Sequence, residues 1–287
     1  MQTTDTMTVY ERICRTRKSG RATASDYIRG LFSEFTELHG DRAYGDDHAV
    51  VGGLALLRGM PVTVIGIEKG HTIGERMERN FGCVLPEGYR KALRLMRQAE
   101  KFRRPVVCLV DTQGANCGKG AEERGAGEAI ARNLYEMSGL RVPVISLMIG
   151  EGGSGGALAL AVANEVWMLE NAYYSVISPE SCASILFKDP ARAPEAAEHL
   201  CLTAQDLAQL GIIERIVPEP ERFGGEEEAR MMQSLRDELF AALGRLKRKS
   251  PEVLERERYE KFRRVGRYAP YDVTPLSPVR RWLSHAR

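Results

Sequence analysis

The chain has 287 residues, 43% hydrophobic and 28% charged, with a net charge of +2. That size allows one large domain or two small ones, and the balance excludes collagen, coiled coil or a wholly disordered chain. No stretch approaches the ~18 uncharged apolar residues that span a bilayer, and the N-terminus MQTTDTMTVYERICRTRK has no apolar signal core, so the reading is cytoplasmic, with neither membrane nor nucleic acid as a partner.

In chain order, residues 1–24 form a polar, basic arm. Ser25 then caps an expected helix, DYIRGLFSEFTELHG, whose Tyr27, Ile28, Leu31, Phe35 and Leu38 recur at helical spacing before Gly40. HAVVGGLALL and PVTVIGIE read as a strand hairpin, followed by a loop to Pro86. EGYRKALRLMRQAEKF is an amphipathic helix with Tyr89, Ala92, Leu93, Met96 and Ala99 on one face. After it come the buried strand PVVCLVD, the loop TQGANCGKGAEERGAG, the helix EAIARNLYEM and the buried strand VPVISLMIG. EGGSGG, the helix ALALAVANE and the strand VWML follow. This alternation gives a mainly parallel α/β core with both glycine-rich loops at one end, where ligands bind beyond strand C-termini. A short helix, TAQDLAQLG, a short strand, IIERIV, and a long helix over 226–249 complete the domain, 25–249. Residues 250–287 read as a helical segment and an irregular basic tail.

Charge is uneven: residues 69–104 hold ten Lys/Arg against four Glu, and residues 245–287 hold thirteen against five acids. These are solvated helix faces and a tail, or a surface for phosphates or an acidic partner. The six cysteines include no CxxC pair and no close Cys/His cluster, so no disulfide framework and no metal site is expected.

The segment GEGGSGGALA fits several templates. Gly150, Gly152 and Gly155 spell GxGxxG, with Glu170 twenty residues after Gly150, as an NAD-dependent dehydrogenase would require. Gly152, Ser154 and Gly156 spell GxSxG, the elbow of a serine hydrolase, for which only His199 and His285 follow as bases. The first loop fails as a P-loop, because Gly114 to Gly118 leaves three intervening residues rather than four. Asp111, Glu122, Glu123 and Glu128 read as a strand end and a helix start rather than as acid/base pairs. What remains is backbone chemistry: glycines at a helix N-terminus expose N–H groups that stabilise an oxygen gaining negative charge, an oxyanion hole with no nucleophile.

The strings FTELHGDRAYGDD, VVGGLALLRGMPVTVIG, NFGCVLPEGYRKALRLM, GAEERGAGEAIARNLYEMSGLRVPVIS, IGEGGSGGALALAV and YYSVISPESCASIL closely resemble the α-subunit family of the bacterial multisubunit acetyl-CoA carboxylase carboxyltransferase, from about Tyr10 to Tyr268. The resemblance implies a crotonase-like ββα spiral and transfer of the carboxyl group of carboxybiotin, on the biotin carboxyl carrier protein, to acetyl-CoA, giving malonyl-CoA for fatty acid biosynthesis. Another acyl-CoA substrate stays open. It assigns the biotin-side oxyanion donors to the N–H groups of Gly155 and Gly156, and the carboxybiotin pocket to Gly114, Ala115, Gly152, Gly153 and Ser154. It further implies an α2β2 heterotetramer in which the β subunit supplies the acyl-CoA side and carries the zinc, while a separate biotin carboxylase uses ATP. Where the family pattern has DTPGAYPG, this chain has DTQGANCG; Gln113, Asn116 and Cys117 are expected to leave a looser loop.

Overall fold

A computed structural model describes residues 7–266. In chain order the elements are α1 (Val9–Thr16), α2 (Ala24–Leu31), β1 (Ser33–Glu37), β2 (Val50–Leu57), β3 (Met60–Ile67), α3 (Ile73–Glu78), α4 (Pro86–Lys101), β4 (Val106–Thr112), α5 (Lys119–Glu123), α6 (Ala126–Gly139), β5 (Val144–Gly153), α7 (Ser154–Leu158), β6 (Glu165–Leu169), β7 (Tyr173–Ser175), α8 (Pro179–Phe187), α9 (Ala193–His199), α10 (Ala204–Gln209), β8 (Arg215–Val217), α11 (Glu226–Lys247) and α12 (Pro251–Arg263).

The sheet runs β1-β2-β3-β4-β5-β6-β8, with β7 paired to β5. The first three strands are antiparallel and every later pairing is parallel. β4 and β5 are buried along their whole length, which is why both read as unbroken apolar runs instead of alternating ones. Helices cover both faces. A Cβ on Gly66 would meet Ala24 of α2, whereas one on Gly52, which pairs with Ile65, would meet Leu95 of α4. Neighbours along β3 point to opposite faces, so α2 and α4 lie on opposite sides of the sheet.

Three expectations change. The helix starting near Ser25 is capped instead by Thr23, in a box with Asp26, and stops at Leu31. Residues 33–37 leave it to pair with the edge of β2, Thr36 opposite Leu54, because backbone ladder bonds outweigh a weak helical period. The helix expected over 157–165 is only α7, five residues long. Asn133 and Ser146 donate to the carbonyls of Ala159 and Leu160, taking up the acceptors that a longer helix would have used. The arm, expected only to be polar, contains α1, started by a capping box of Thr8 and Glu11 and anchored by Ile13, which is fully buried. Of the C-terminal expectation, the helical segment is α12, and the irregular tail over 267–287 lies outside the described residues.

Candidate active site

β4 and β5 end side by side, and both glycine-rich loops leave the sheet there. Their ladder runs from Val106 opposite Val144 to Val110 opposite Met148, then slips so that Thr112 faces Gly152. β5 therefore carries a bulge around Gly150 and Glu151, the kind of irregularity that re-aims a chain beside a site.

The two loops meet backbone to backbone. A Cβ on Gly153 would stand 2.2 Å from the Gln113 carbonyl oxygen, and one on Gly156 would stand 2.6 Å from the Ala115 amide nitrogen. On Gly150 it would strike the Asp111 carboxylate at 2.5 Å, and on Gly152 the Tyr173 carbonyl at 2.7 Å. Close approach thus demands glycine at four positions. Gly155 differs: a Cβ there would meet only Ile130 Cγ2 at 3.7 Å, so the protein itself leaves that space open.

Ser154 turns the chain from β5 into α7 with φ of 51°, a left-handed conformation uncommon for serine. Its exposed side chain has no hydrogen-bond partner among the described residues. His199 sits exposed at the end of α9, and His285 lies outside the described residues. A hydrolase elbow without a base does not activate its serine. The dinucleotide template fails too: Gly150 and Gly152 lie within β5, α7 is too short to present a full helix end to a pyrophosphate, and Glu170 accepts from the Glu219 amide at 3.4 Å. What the turn does offer is the first turn of α7, where Gly155 and Gly156 have N–H groups with no intrahelical acceptor.

A cavity of about 710 Å³ opens at the same strand ends. Gln113, Gly114, Ala115 and Cys117 line it, whereas residues 152–156 do not. The first loop is tied rather than loose: Gln113 Nε2 donates to Cys83 Sγ at 3.1 Å, the Asn116 amide donates to the Val84 carbonyl at 3.1 Å, and Asn116 Oδ1 accepts from the Gly118 amide at 2.8 Å. The substituted side chains supply ties of their own. A groove of about 890 Å³ between α1 and residues 221–223 holds none of the site residues expected from the sequence.

The cavity floor is a charge network that sequence reasoning missed. Lys69 Nζ lies 2.7 Å from both Asp111 Oδ1 and Glu151 Oε2. Glu151 Oε1 accepts from Arg17 Nε and from the Tyr173 hydroxyl, each at 2.9 Å, and Arg17 reaches on to Glu180 at 2.6 Å. Burial alone would raise the Glu151 carboxyl, yet Lys69 and then Arg17 hold it down at about 2. The two carboxylates raise Lys69 against its own burial penalty. Lys69, Arg17, Glu151 and Glu180 are therefore charged near neutral pH, and burial keeps the Tyr173 hydroxyl neutral, so these groups are poor at exchanging protons. Asp111 and Glu151 each end an apolar strand, a signal visible in sequence, but nothing local links either to Lys69 or Arg17. Among the described residues no group of three His, Cys, Asp or Glu side chains is placed to hold a metal ion, and no helix is long and apolar enough to cross a membrane.

Residues 1–266 match the family described as acetyl co-enzyme A carboxylase carboxyltransferase-like. The chain belongs to this family. It is 55% identical over 260 residues to the acetyl-coenzyme A carboxylase carboxyl transferase subunit alpha of Ruminiclostridium cellulolyticum, covering 91% of this chain and 98% of that one. It is also 55% identical to a protein of Natranaerobius thermophilus named for subunits beta/alpha together, covering 91% of this chain but 43% of the longer protein. The carboxyltransferase α-subunit reading, a transferase of a biotin-dependent carboxylase, therefore stands over the hydrolase and the dehydrogenase, and the relative named for subunits beta/alpha together supports a β-type partner. The Pseudomonas malonate decarboxylase heterotetramer solved with coenzyme A has a TM-score of 0.64 at 19% identity, covering 92% of this chain and 99% of that one. Transcarboxylase 12S has a TM-score of 0.62 at 18% identity, covering 91% of this chain and 45% of that one. At such identities the likeness is one of fold, and it is the crotonase-like α/β fold.

Proposed function

We infer that this chain forms the biotin-side half of an acetyl-CoA carboxyltransferase, working in an α2β2 assembly whose β subunit binds the acyl-CoA. Carboxybiotin, on the biotin carboxyl carrier protein, supplies the carboxyl group and, once that has left, a ureido nitrogen that takes the methyl proton of acetyl-CoA. Acetyl-CoA and carboxybiotin thus become malonyl-CoA and biotin. No side-chain acid or base of this chain is needed, in keeping with the charged pair of Lys69 and Glu151 on the cavity floor.

The chain's own part is electrostatic. Negative charge gathers on the ureido oxygen as the nitrogen–carboxyl bond breaks, and the N–H groups of Gly155 and Gly156 donate to that oxygen. Held by α7, they need no reorganisation during reaction, the condition under which such donors are most effective. Gly114 and Ala115 form the facing wall, with Gly152, Gly153 and Ser154 shaping the turn. The observation that carries this reading is the contrast at Gly155: its neighbours demand glycine for packing, whereas here the missing side chain leaves room for an approaching ring. Zinc belongs with the β subunit and ATP with the biotin carboxylase, neither having a part in this half.

The test is malonyl-CoA-dependent carboxylation of free biotin by this chain alone and together with the β subunit of the same genome. Activity only in the mixture is expected. Activity of the chain by itself would overturn the shared site.

A further inference from the structure

Lys69 lies two residues past the end of β3, and its ammonium reaches across to the ends of the next two strands of the sheet. Each carboxylate it binds immediately precedes a glycine loop or lies within one residue of it: Asp111 stands before Thr112–Gly118, and Glu151 before Gly152–Gly156. The Asp111 carboxylate also accepts from the Glu151 amide at 2.8 Å, so the two strand ends are stitched directly as well as through the lysine. Gly82 lets the lysine stem lie flat, since a Cβ there would come within 2.8 Å of Lys69 Cγ.

This is the point where the ladder between β4 and β5 is interrupted by a bulge before it resumes at Thr112 and Gly152. Between Val110–Met148 and Thr112–Gly152, β4 advances two residues and β5 four. A slipped ladder leaves the relative height of the two loops underdetermined. A buried ion cluster is a poor choice for stability alone, because well-packed apolar groups often do as well, but it specifies one arrangement over its neighbours.

We propose that Lys69 is the positioning residue of the biotin side: by clamping Asp111 and Glu151 it sets the loop of Gly114 and Ala115 at a fixed height against the loop of Gly155 and Gly156. The last clause rests on the biotin-side reading above; the clamp itself does not. A donor displaced by about 1 Å loses on the order of 10²-fold in rate even when the change lies away from the chemistry.

The experiment compares wild type, Lys69→Met and Lys69→Arg in the complex with the β subunit, by hydrogen–deuterium exchange and by carboxylation of free biotin. Lys69→Met is expected to speed exchange selectively over 112–118 and 150–158. It should lower kcat/KM for biotin by roughly 10- to 100-fold while leaving KM for malonyl-CoA within about twofold. Lys69→Arg, which keeps the positive charge and a longer reach toward both carboxylates, should recover much of the loss. Unchanged exchange at both loops, or equal losses toward both substrates, overturns the proposal. If the loops loosen while biotin kinetics stay at the wild-type level, the clamp stands but does not position the biotin side, and the assignment of Gly155 and Gly156 falls with that clause. Should Lys69→Met fail to fold, Glu151→Gln, nearly unchanged in shape, is read by the same two measurements.

Discussion

Lys69, on the floor of the cavity, and Arg258, fully buried, are both cations drawn largely out of water, and they differ in what receives them. Lys69 meets two carboxylates, which raise its hold on its proton. Arg258 meets only neutral oxygens: the carbonyls of Met137, Ser138, Leu140 and Val142 at 2.9, 3.4, 2.6 and 3.1 Å, and Asn164 Oδ1 at 2.6 Å. Burial pushes it down to about 10, still protonated near neutral pH. The first cation joins the strand ends from which both glycine-rich loops leave the sheet. The second caps the end of α6 and fastens α12 to it. Charge opposed to charge stands at the glycine-loop end of the sheet, while charge against peptide dipoles marks a joint.

The largest effect expected on either side is at the joint. Arg258→Met strands several buried acceptors at once and should lower stability by about 3 kcal/mol or more, as removal of one partner of a buried charged contact does. Urea unfolding would show this, with transfer per folded molecule kept. Comparable loss of activity and stability would erase the distinction between the two regions.

At the other end the order reverses. Gly155→Val keeps its backbone N–H but fills the space left for the ring and holds the ureido oxygen away from the donors. Transfer should therefore fall by about 10²-fold, as when one oxyanion donor is lost, with little change in Tm because its side chain meets open space in the protein itself. Gly156→Ala should lower Tm, since its Cβ would press on the backbone of the facing loop. A Gly155→Val enzyme at full rate would remove that donor from the mechanism.

Acid sharpens the comparison. Glu151 is held at about 2 when folded, below its ordinary value of 4.5. Its contribution is present above about pH 4.5 and fades as pH falls toward 2. Stability measured across that window should fall in wild type and in Arg258→Met alike, and fall less steeply in Lys69→Met, where the cation that depresses Glu151 most is gone. The smallest effect belongs to Ser154→Ala: with an exposed, unpartnered hydroxyl, it should change transfer by less than about threefold, whereas a loss near 10³-fold would restore the hydrolase reading.

The apolar strands β4 and β5, the helices α4 and α11 and the placement of both glycine loops at one end were legible because strong periodicity and unbroken apolar runs are local properties. The edge strand β1 was not, since residues 33–37 take that form only when β2 lies alongside. α1 escaped notice because a single buried apolar side chain, Ile13, anchors a segment that is otherwise polar.

The sequence by itself determined the fold class and the family and singled out the glycines proposed for the site, because these reside in composition, spacing and the chain's own strings. Only the tertiary structure decided which glycines are bound by packing and which leaves space, and that Lys69, Arg17, Asp111 and Glu151 form one network. The reason is physical: a close backbone approach and an ion pair between distant segments are properties of two pieces of chain brought together, and neither leaves a mark on either piece alone.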